Sequence, residues 1–229
     1  MHAQLPLPFK LRETYTFDNF IEGSNALLIN SLKQANEAFI FLWGEAGTGK
    51  THLLQAACQY ATVVGKTASY LPLNELYQAP PEIIDGLGQL DLICIDDIEN
   101  ISTEKPWEEA LFNLFNQLKL HGGQLVISGQ SSPKNLPIQL ADLHSRLNSG
   151  LALNILPLDE TATLLAINKR AEQHGFILTQ EVAHYLLTRF PRDLPSLWRL
   201  LDKLDHATLS AQKKLTVPFL KKMQKEFNP

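Results

Sequence analysis

The 229-residue chain has few cysteines, no long apolar run and little excess charge. Its two cysteines, Cys58 and Cys94, stand among apolar residues, so we expect no disulfide framework and a reducing, cytoplasmic environment. No apolar run approaches the ~18 residues that a membrane-spanning helix needs, and early prolines interrupt any signal-peptide pattern. The sequence therefore argues against a disulfide-stapled secreted domain and against a membrane partner.

Patterns typical of metal-binding and strongly basic proteins are missing as well. The seven histidines are scattered without the spacing of a metal site. The formal net charge of −4 argues against sequence-blind DNA binding by the whole surface, although several lysines cluster near the C-terminus. We therefore expect contact with DNA to be weak or indirect.

What the chain does contain is a phosphate-loop motif of the form G-x-x-x-x-G-K-[ST]. An apolar segment suited to a buried strand, Phe39–Trp43, precedes it, and a helix-like segment follows. Backbone N–H groups of such a loop and the N-terminus of the helix attract phosphate oxygens. Lys50 is predicted to reach the outer phosphates, and Thr51 to hold Mg²⁺. The motif consists of Gly44, Glu45, Ala46, Gly47, Thr48, Gly49, Lys50 and Thr51.

A second acidic segment completes the predicted nucleotide site. Four apolar residues lead into Asp96 and Asp97, and a carboxylate at the carboxyl end of a parallel strand faces the ligand crevice. We predict that Asp96 binds Mg²⁺, directly or through water. Asp97 occupies the place where many ATPases carry a glutamate that polarises the attacking water, and aspartate is one methylene shorter. Ser128 and Gln130 are candidates either for sensing the terminal phosphate or for ordinary strand-end capping.

The order of strand-like and helix-like segments predicts an α/β fold with a five-stranded parallel sheet, followed by a small all-α domain. The strand signal stops near Pro157, after which Asp159 and Thr179 are predicted helix caps. We expect an N-terminal arm at 1–12, a nucleotide-binding domain at 13–157 and a helical lid at 158–229. The predicted strands are Phe39–Trp43, Ala68–Leu71, Leu92–Ile95, Leu125–Ser128 and Leu151–Ile155, and a helix is predicted over Pro106–His121.

Four segments together resemble the DnaA/Hda group of the AAA+ family. They are Tyr15–Phe20, the phosphate loop with the His52–Leu54 that follows it, Asp96–Ile98, and Leu143–Leu147. The resemblance covers roughly residues 13–229. The DNA-binding and N-terminal domains of an initiator are missing from this sequence, which is similar in that respect to the Hda type of regulator.

The resemblance implies a regulator that switches off replication initiation. It implies that Arg146 is an arginine finger acting in trans on ATP-bound DnaA, whereas the alternative for this residue is an ion pair with Asp142. It also implies that the N-terminal arm docks on the DNA polymerase sliding clamp, since an extended peptide can place apolar side chains in a groove. The predicted clamp contacts are Gln4, Leu5, Leu7, Pro8 and Phe9.

Nucleotide contacts implied by the resemblance extend beyond the phosphate loop. They include His52 and, near the base, Phe17, Phe20 and Ile21. Members of the group carry a nucleotide-sensing arginine where this chain has Pro195, so Arg199, one turn further on, is a candidate replacement. Gln130 likewise stands where members of the group have an aspartate. Together with Asp97, these departures predict little intrinsic hydrolysis and ADP or another nucleoside diphosphate, with Mg²⁺, as a bound structural cofactor.

Two other classes share a phosphate loop. A helicase loader or remodelling ATPase is expected to carry a full-length catalytic glutamate and an intact sensor arginine, which Asp97 and Pro195 replace here. A small nucleotide kinase needs an arginine-rich lid, which the sequence lacks. Self-association of the chain stays open, because an arginine finger lies at a subunit junction.

Overall fold

The computed structural model describes residues 11–34, 36–175, 177–191, 193–211 and 215–221, with 206–211 described by their backbone alone. The chain divides into an α/β unit and a helical unit between Pro157 and Leu158. Within the described residues, no helix combines the length and the apolar character needed to cross a membrane.

A parallel five-stranded sheet forms the centre of the first unit, with the strand order β2-β3-β4-β1-β5. All five predicted strands are present, and their ends differ from the prediction by at most one residue. This confirms the predicted α/β class and the parallel sheet. The strands are β1 (Phe39–Trp43), β2 (Ala68–Pro72), β3 (Leu92–Asp96), β4 (Gln124–Gly129) and β5 (Leu151–Asn154).

Helices pack on both faces of this sheet and create two apolar cores. Alternate residues of one strand enter different cores: Phe41 packs in one, and its neighbour Leu42 packs in the other. Because both faces are covered, the central strands are apolar throughout and do not alternate with polar residues. The helices of this unit are α1 (Ala26–Gln34), α2 (Lys50–Val63), α3 (Leu73–Leu76), α4 (Lys105–His121) and α5 (Ala141–Asn148).

The parallel arrangement separates the functional candidates into two groups at opposite edges of the sheet. The phosphate loop follows the end of β1, and Asp96 ends β3. Ser128 pairs with Leu42 in the register of β4 and β1, so it lies at this same carboxyl edge. Arg146 lines a cavity with Phe39, at the other end of β1.

A buried carboxylate joins α4 to the start of α5. Glu108 is fully buried and accepts hydrogen bonds from the backbone N–H groups of Thr103 at 2.9 Å, Gln139 at 3.1 Å and Leu140 at 2.7 Å. Leu140 is the N-cap residue of α5 and supplies no capping side chain of its own. Glu108 therefore provides the acceptor, and its negative charge also suits a helix N-terminus. It fixes where the helix that carries Arg146 begins.

The second unit is helical and has its own apolar core. Asp159 caps its first helix by accepting from the Ala162 N–H at 2.7 Å, and Thr179 caps the second through the Val182 N–H at 3.4 Å, which confirms both predicted caps. Residues 217–221 are also helical. The helices of this unit are α6 (Glu160–Gln173), α7 (Gln180–Arg189) and α8 (Leu194–Ala211), with Leu186, Leu197, Leu201, Leu204 and Leu220 among the buried residues between them.

Candidate functional site

The phosphate loop has a conformation that only glycine suits at two of its positions. Gly49, the N-cap of α2, has φ +98°, and an added Cβ would lie 2.7 Å from the Phe20 ring. A Cβ on Gly44 would lie 2.9 Å from the carbonyl oxygen of Ile155. The loop therefore passes between the Phe20 ring and the backbone of Ile155. Gly44 is required by this close approach, and Gly49 is required both by close approach and by its positive φ.

Lys50 is a buried cation at this loop. Its ammonium donates hydrogen bonds to the carbonyl oxygens of Gly44 at 2.8 Å and Glu45 at 3.0 Å. Within the described ranges it forms no ion pair. A buried cation without a carboxylate at ion-pair distance is costly, although the more distant charge of Asp97 offsets part of that cost. The local electrostatics therefore favour an anionic ligand. Thr51, the other motif residue assigned a function, is half-buried in the first turn of α2.

Asp96 is buried and held by two hydroxyl groups. The Tyr70 hydroxyl donates to one carboxylate oxygen at 2.8 Å, and the Ser128 hydroxyl donates to the other. Burial, and secondly the charge of Asp96, raise the pKa of Tyr70, so the phenol stays protonated and remains a donor. The Ser128 hydroxyl is thus engaged by Asp96, which neither alternative for it anticipated.

Tyr70 was missed by sequence reasoning, which treated it only as part of a strand. Tyr70 is opposite Cys94 in the β2–β3 register, one strand away from the acidic segment. The available signal was a hydroxyl-bearing aromatic in the strand that precedes the acidic strand. That signal has meaning only once the two strands are known to be neighbours.

Asp97 has an unusual backbone and an unusual electrostatic environment. It has φ +60°, and its N–H donates to the Ser128 hydroxyl at 3.1 Å. Burial raises the pKa of Asp97 to about 6, the negative charges of Asp96 and Glu99 add to the rise, and Lys50 opposes it. A carboxylate with this pKa is mostly ionised at neutral pH, and it accepts a proton more readily than an ordinary aspartate does.

Glu99 and Gln130 form a contact beside these aspartates. The Gln130 backbone N–H donates to one carboxylate oxygen of Glu99 at 2.5 Å. The other oxygen of Glu99 is buried, and the described part of the chain offers it no hydrogen-bond partner. Gln130 itself is exposed, so its backbone is fixed while its side chain stays accessible.

The donor set at this edge suits Mg²⁺. The Asp96 carboxylate and the Thr51 hydroxyl are hard oxygen ligands, which Mg²⁺ prefers. In the described ranges, no group of three or more histidine, cysteine or acidic side chains is arranged to hold a metal ion by itself. Mg²⁺ is commonly held by one or two protein oxygens together with substrate phosphates, so Asp96 and Thr51 fit that mode.

The segment assigned to the base lies against the start of α2. His52 stacks on Tyr15 with 4.6 Å between ring centroids and meets Phe20 edge-on at 5.4 Å. Its Nε2 lies 2.8 Å from the carbonyl oxygen of Thr16. Phe17 is buried in a core, Phe20 packs over Gly49, and Ile21 is half-buried. The structure therefore assigns His52 a clear packing role, and a contact of these residues with a base stays a prediction.

Arg146 lies at the opposite edge of the sheet from the phosphate loop. It is half-buried and lines a cavity of about 170 Å³ together with Phe39 and Leu125. Phe39 is the first residue of β1, and Leu125 is the second residue of β4. Its guanidinium lies 5.8 Å from the centre of the Phe115 ring. The alternative ion pair with Asp142 does not form, and no other described carboxylate pairs with Arg146. The full length of β1 separates it from the loop, about 13 Å of strand.

The lid candidates occupy the first turns of α8. Asp193 accepts from the Ser196 N–H at 2.9 Å, and hydrogen bonds from Ser196 lower the pKa of Asp193. Pro195 lies in the first turn, where a missing N–H removes no helical hydrogen bond. Arg199 is exposed and donates to the Ser196 hydroxyl at 3.1 Å. Its contact with nucleotide stays a prediction.

The predicted clamp-binding residues lie outside the described residues. These are Gln4, Leu5, Leu7, Pro8 and Phe9.

Comparison with known proteins agrees with the fold and the motifs. The family model of the bacterial DnaA ATPase domain matches residues 11–154, and that of the Hda lid domain matches residues 159–223. Domain III of the Thermotoga maritima replication initiation protein DnaA is 25% identical, with a TM-score of 0.83 over 96% of this chain and 100% of that one.

Two nucleotide-bound structures are also similar. DnaA bound to AMPPCP and single-stranded DNA is 28% identical, with a TM-score of 0.76 over 94% of this chain and 70% of that one. AMPPCP-bound DnaA from Aquifex aeolicus is 28% identical, with a TM-score of 0.71 over 82% of this chain and 63% of that one. The chain therefore belongs to the DnaA/Hda group of AAA+ proteins, as a DnaA-related ATPase-type domain followed by a lid of the Hda type.

Proposed function

We propose that this protein is a negative regulator of replication initiation that acts on the initiator DnaA. In this proposal it holds a nucleoside diphosphate, docks on the DNA polymerase sliding clamp through residues 4–9, and inserts Arg146 beside the nucleotide of ATP-bound DnaA. The initiator then hydrolyses its ATP and cannot begin another round.

The position of Arg146 is the observation that carries the proposal. Arg146 and the phosphate loop lie at opposite edges of one sheet, so this arginine is out of reach of the nucleotide that its own chain binds. Arg146 is half-buried, and its guanidinium has no carboxylate partner among the described residues. A cation placed in this way is available to a neighbouring protein.

As an arginine finger, Arg146 would accelerate ATP hydrolysis by its partner. A guanidinium beside the γ-phosphate stabilises the charge that develops in the transition state, and such fingers accelerate hydrolysis by ~10³–10⁵-fold. This factor corresponds to about 4–7 kcal/mol of barrier. Lysine lacks the planar fork of donors, so Arg146→Lys should restore little of the activity.

The chain's own nucleotide site supports binding more than turnover. Buried Lys50 favours an anionic ligand, and Mg²⁺ held by Thr51 and Asp96 would neutralise phosphate charge. Asp97 is one methylene shorter than the glutamate that many ATPases carry at this place, so its carboxylate reaches less far toward an attacking water. We therefore infer that ADP, or another nucleoside diphosphate, is a structural cofactor here.

The test of the finger uses loaded clamp, ATP-bound DnaA and the full chain. Wild type should stimulate hydrolysis, and Arg146→Ala should lose nearly all of that stimulation. Arg189→Ala is the matched control, because Arg189 is an exposed arginine at the end of α7 in the other unit. Full stimulation by Arg146→Ala, with ADP binding intact, would refute the finger.

The clamp contact and the cofactor role are tested separately. Gln4→Ala should weaken binding to immobilised clamp and lower stimulation, whereas His2→Ala should change neither. Clamp binding that is unchanged by Gln4→Ala contradicts the docking proposal and leaves the finger untouched. Brisk ATP hydrolysis by the purified chain alone would favour a remodelling ATPase or helicase loader instead.

A further inference from the structure

The guanidinium of Arg146 lies over the aromatic ring of Phe115. The guanidinium carbon lies 5.8 Å from the centre of the Phe115 ring, within the ~6 Å over which an aromatic face attracts a cation. Within the described ranges, the guanidinium has neither an ion pair nor a hydrogen bond. The Arg146 side chain therefore lies against this ring.

The Phe115 ring is itself held in place. Phe39 meets it edge-on, with 5.4 Å between centroids and an interplanar angle of 73°. Phe39 in turn packs on Gly150, where an added Cβ would lie 2.2 Å from the Phe39 ring. Phe115 is only 8% exposed. The Phe115 ring of α4 packs against Phe39, and Phe39 packs against Gly150 just before β5. The ring beside Arg146 therefore has little freedom to move.

An aromatic support differs from a carboxylate support in one respect that matters for a finger. A carboxylate would neutralise the guanidinium and compete with phosphate for its N–H donors. A ring face restricts the side chain, and it leaves the charge and all five donors free. A restricted finger also loses less side-chain entropy when it enters the partner site.

We propose that Phe115 is a positioning residue that orients Arg146 for insertion into the partner's nucleotide site. This inference rests on the proposed role of Arg146 as a finger. Phe115 makes no contact with nucleotide in this proposal, and it acts only through the arginine. Its loss should therefore lower the rate of stimulated hydrolysis more than it weakens formation of the complex.

The experiment compares Phe115→Leu with Phe115→Tyr in the assay with clamp and DnaA. Leucine keeps apolar volume and removes the ring face, so the maximal stimulated rate should fall about three- to tenfold with a nearly unchanged half-saturating concentration. Tyrosine keeps the ring, and the adjoining cavity of about 170 Å³ has room for its hydroxyl, so it should retain most of the rate.

Phe41→Leu is the control for general damage to the core. Phe41 is fully buried in the same apolar cluster as Phe115 and lies in the middle of β1. It should lower thermal stability and leave the stimulated rate near that of wild type. An equal loss of rate in Phe41→Leu and Phe115→Leu would overturn the positioning role, because the effect would then be one of packing.

A readout without DnaA separates this inference from the proposed function. The side-chain NMR signals of Arg146 should carry a ring-current shift that is lost in Phe115→Leu and kept in Phe115→Tyr. If Arg146→Ala abolishes stimulation while Phe115→Leu retains it, the positioning role is wrong and the finger stands. If Arg146→Ala is fully active, the finger is wrong and the positioning role falls with it, whatever the NMR signals show.

Discussion

Replacing Glu108 with glutamine should destabilise the first unit strongly, although the two side chains have nearly the same shape. The carboxylate is fully buried, and both of its oxygens accept hydrogen bonds from backbone N–H groups. Glutamine supplies only one oxygen. Its NH₂ group must face a backbone N–H, so two donors meet where a donor and an acceptor met before.

The magnitude follows from counting the groups that lose a partner. If the amide oxygen keeps the hydrogen bonds from Thr103 and Gln139, the Leu140 N–H is left without its acceptor. That N–H and the new amide N–H are then both buried and unsatisfied, at about 1–3 kcal/mol each. The two groups together cost about 2–6 kcal/mol. A central value of about 4 kcal/mol corresponds to a fall in Tm of roughly 8–16 °C for a protein of this size.

Thermal unfolding followed by circular dichroism measures this loss, with Glu109→Gln as the matched control. Glu109 is the next residue of α4, its side chain is 55% exposed, and its ion pair with Lys105 spans 3.7 Å. An exposed pair of this kind contributes little, so the control should unfold within about 2 °C of wild type. If Glu108→Gln unfolds as late as Glu109→Gln, the buried carboxylate does not hold the start of α5.

Three further outcomes are expected. Gly49→Ala should abolish ADP binding, because its Cβ would collide with Phe20. Gly65 also has a positive φ but open space around it, so Gly65→Ala should bind ADP normally, and equal binding by both variants would contradict this. The pKa of Asp97 in the folded state, about 6, is above its usual value of 3.8, so the free energy of unfolding should fall as pH rises from about 4 to 6 and should level off above that. Denaturant titrations of Asp97→Asn should lack the part of this slope that depends on Asp97, and an unchanged slope would contradict the assignment. Asp159→Ala should lower lid stability by about 1 kcal/mol without changing ADP affinity in calorimetry, whereas Asp159→Asn, which also caps, should change little.

Local patterns in the sequence were enough to predict much of this protein. The five strands, the α4 helix and the caps Asp159 and Thr179 were all predicted, because apolar periodicity and capping depend on residues a few positions apart. The phosphate loop was found for the same reason, since its eight residues are contiguous. Four short motifs together indicated the family that the two family models confirm.

Tertiary structure decided which distant residues meet. The strand order places β2 beside β3, which brings the Tyr70 hydroxyl to Asp96, and it places β4 beside β3, which brings Ser128 there as well. No spacing in the sequence encodes that order. The Glu108 carboxylate is a comparable case, because Gln139 and Leu140, two of its three partners, lie about thirty residues further on.

Tertiary structure also decided the edge of the sheet at which Arg146 lies. The family resemblance implied that Arg146 acts in trans, but no spacing in the sequence showed at which edge of the sheet it lies relative to the phosphate loop. Parallel strands put the loop at the carboxyl edge of the sheet, and the turn from α5 into β5 puts Arg146 at the amino edge. Strand direction is a global property of the chain path, so only the folded sheet shows that Arg146 and the phosphate loop lie at opposite edges.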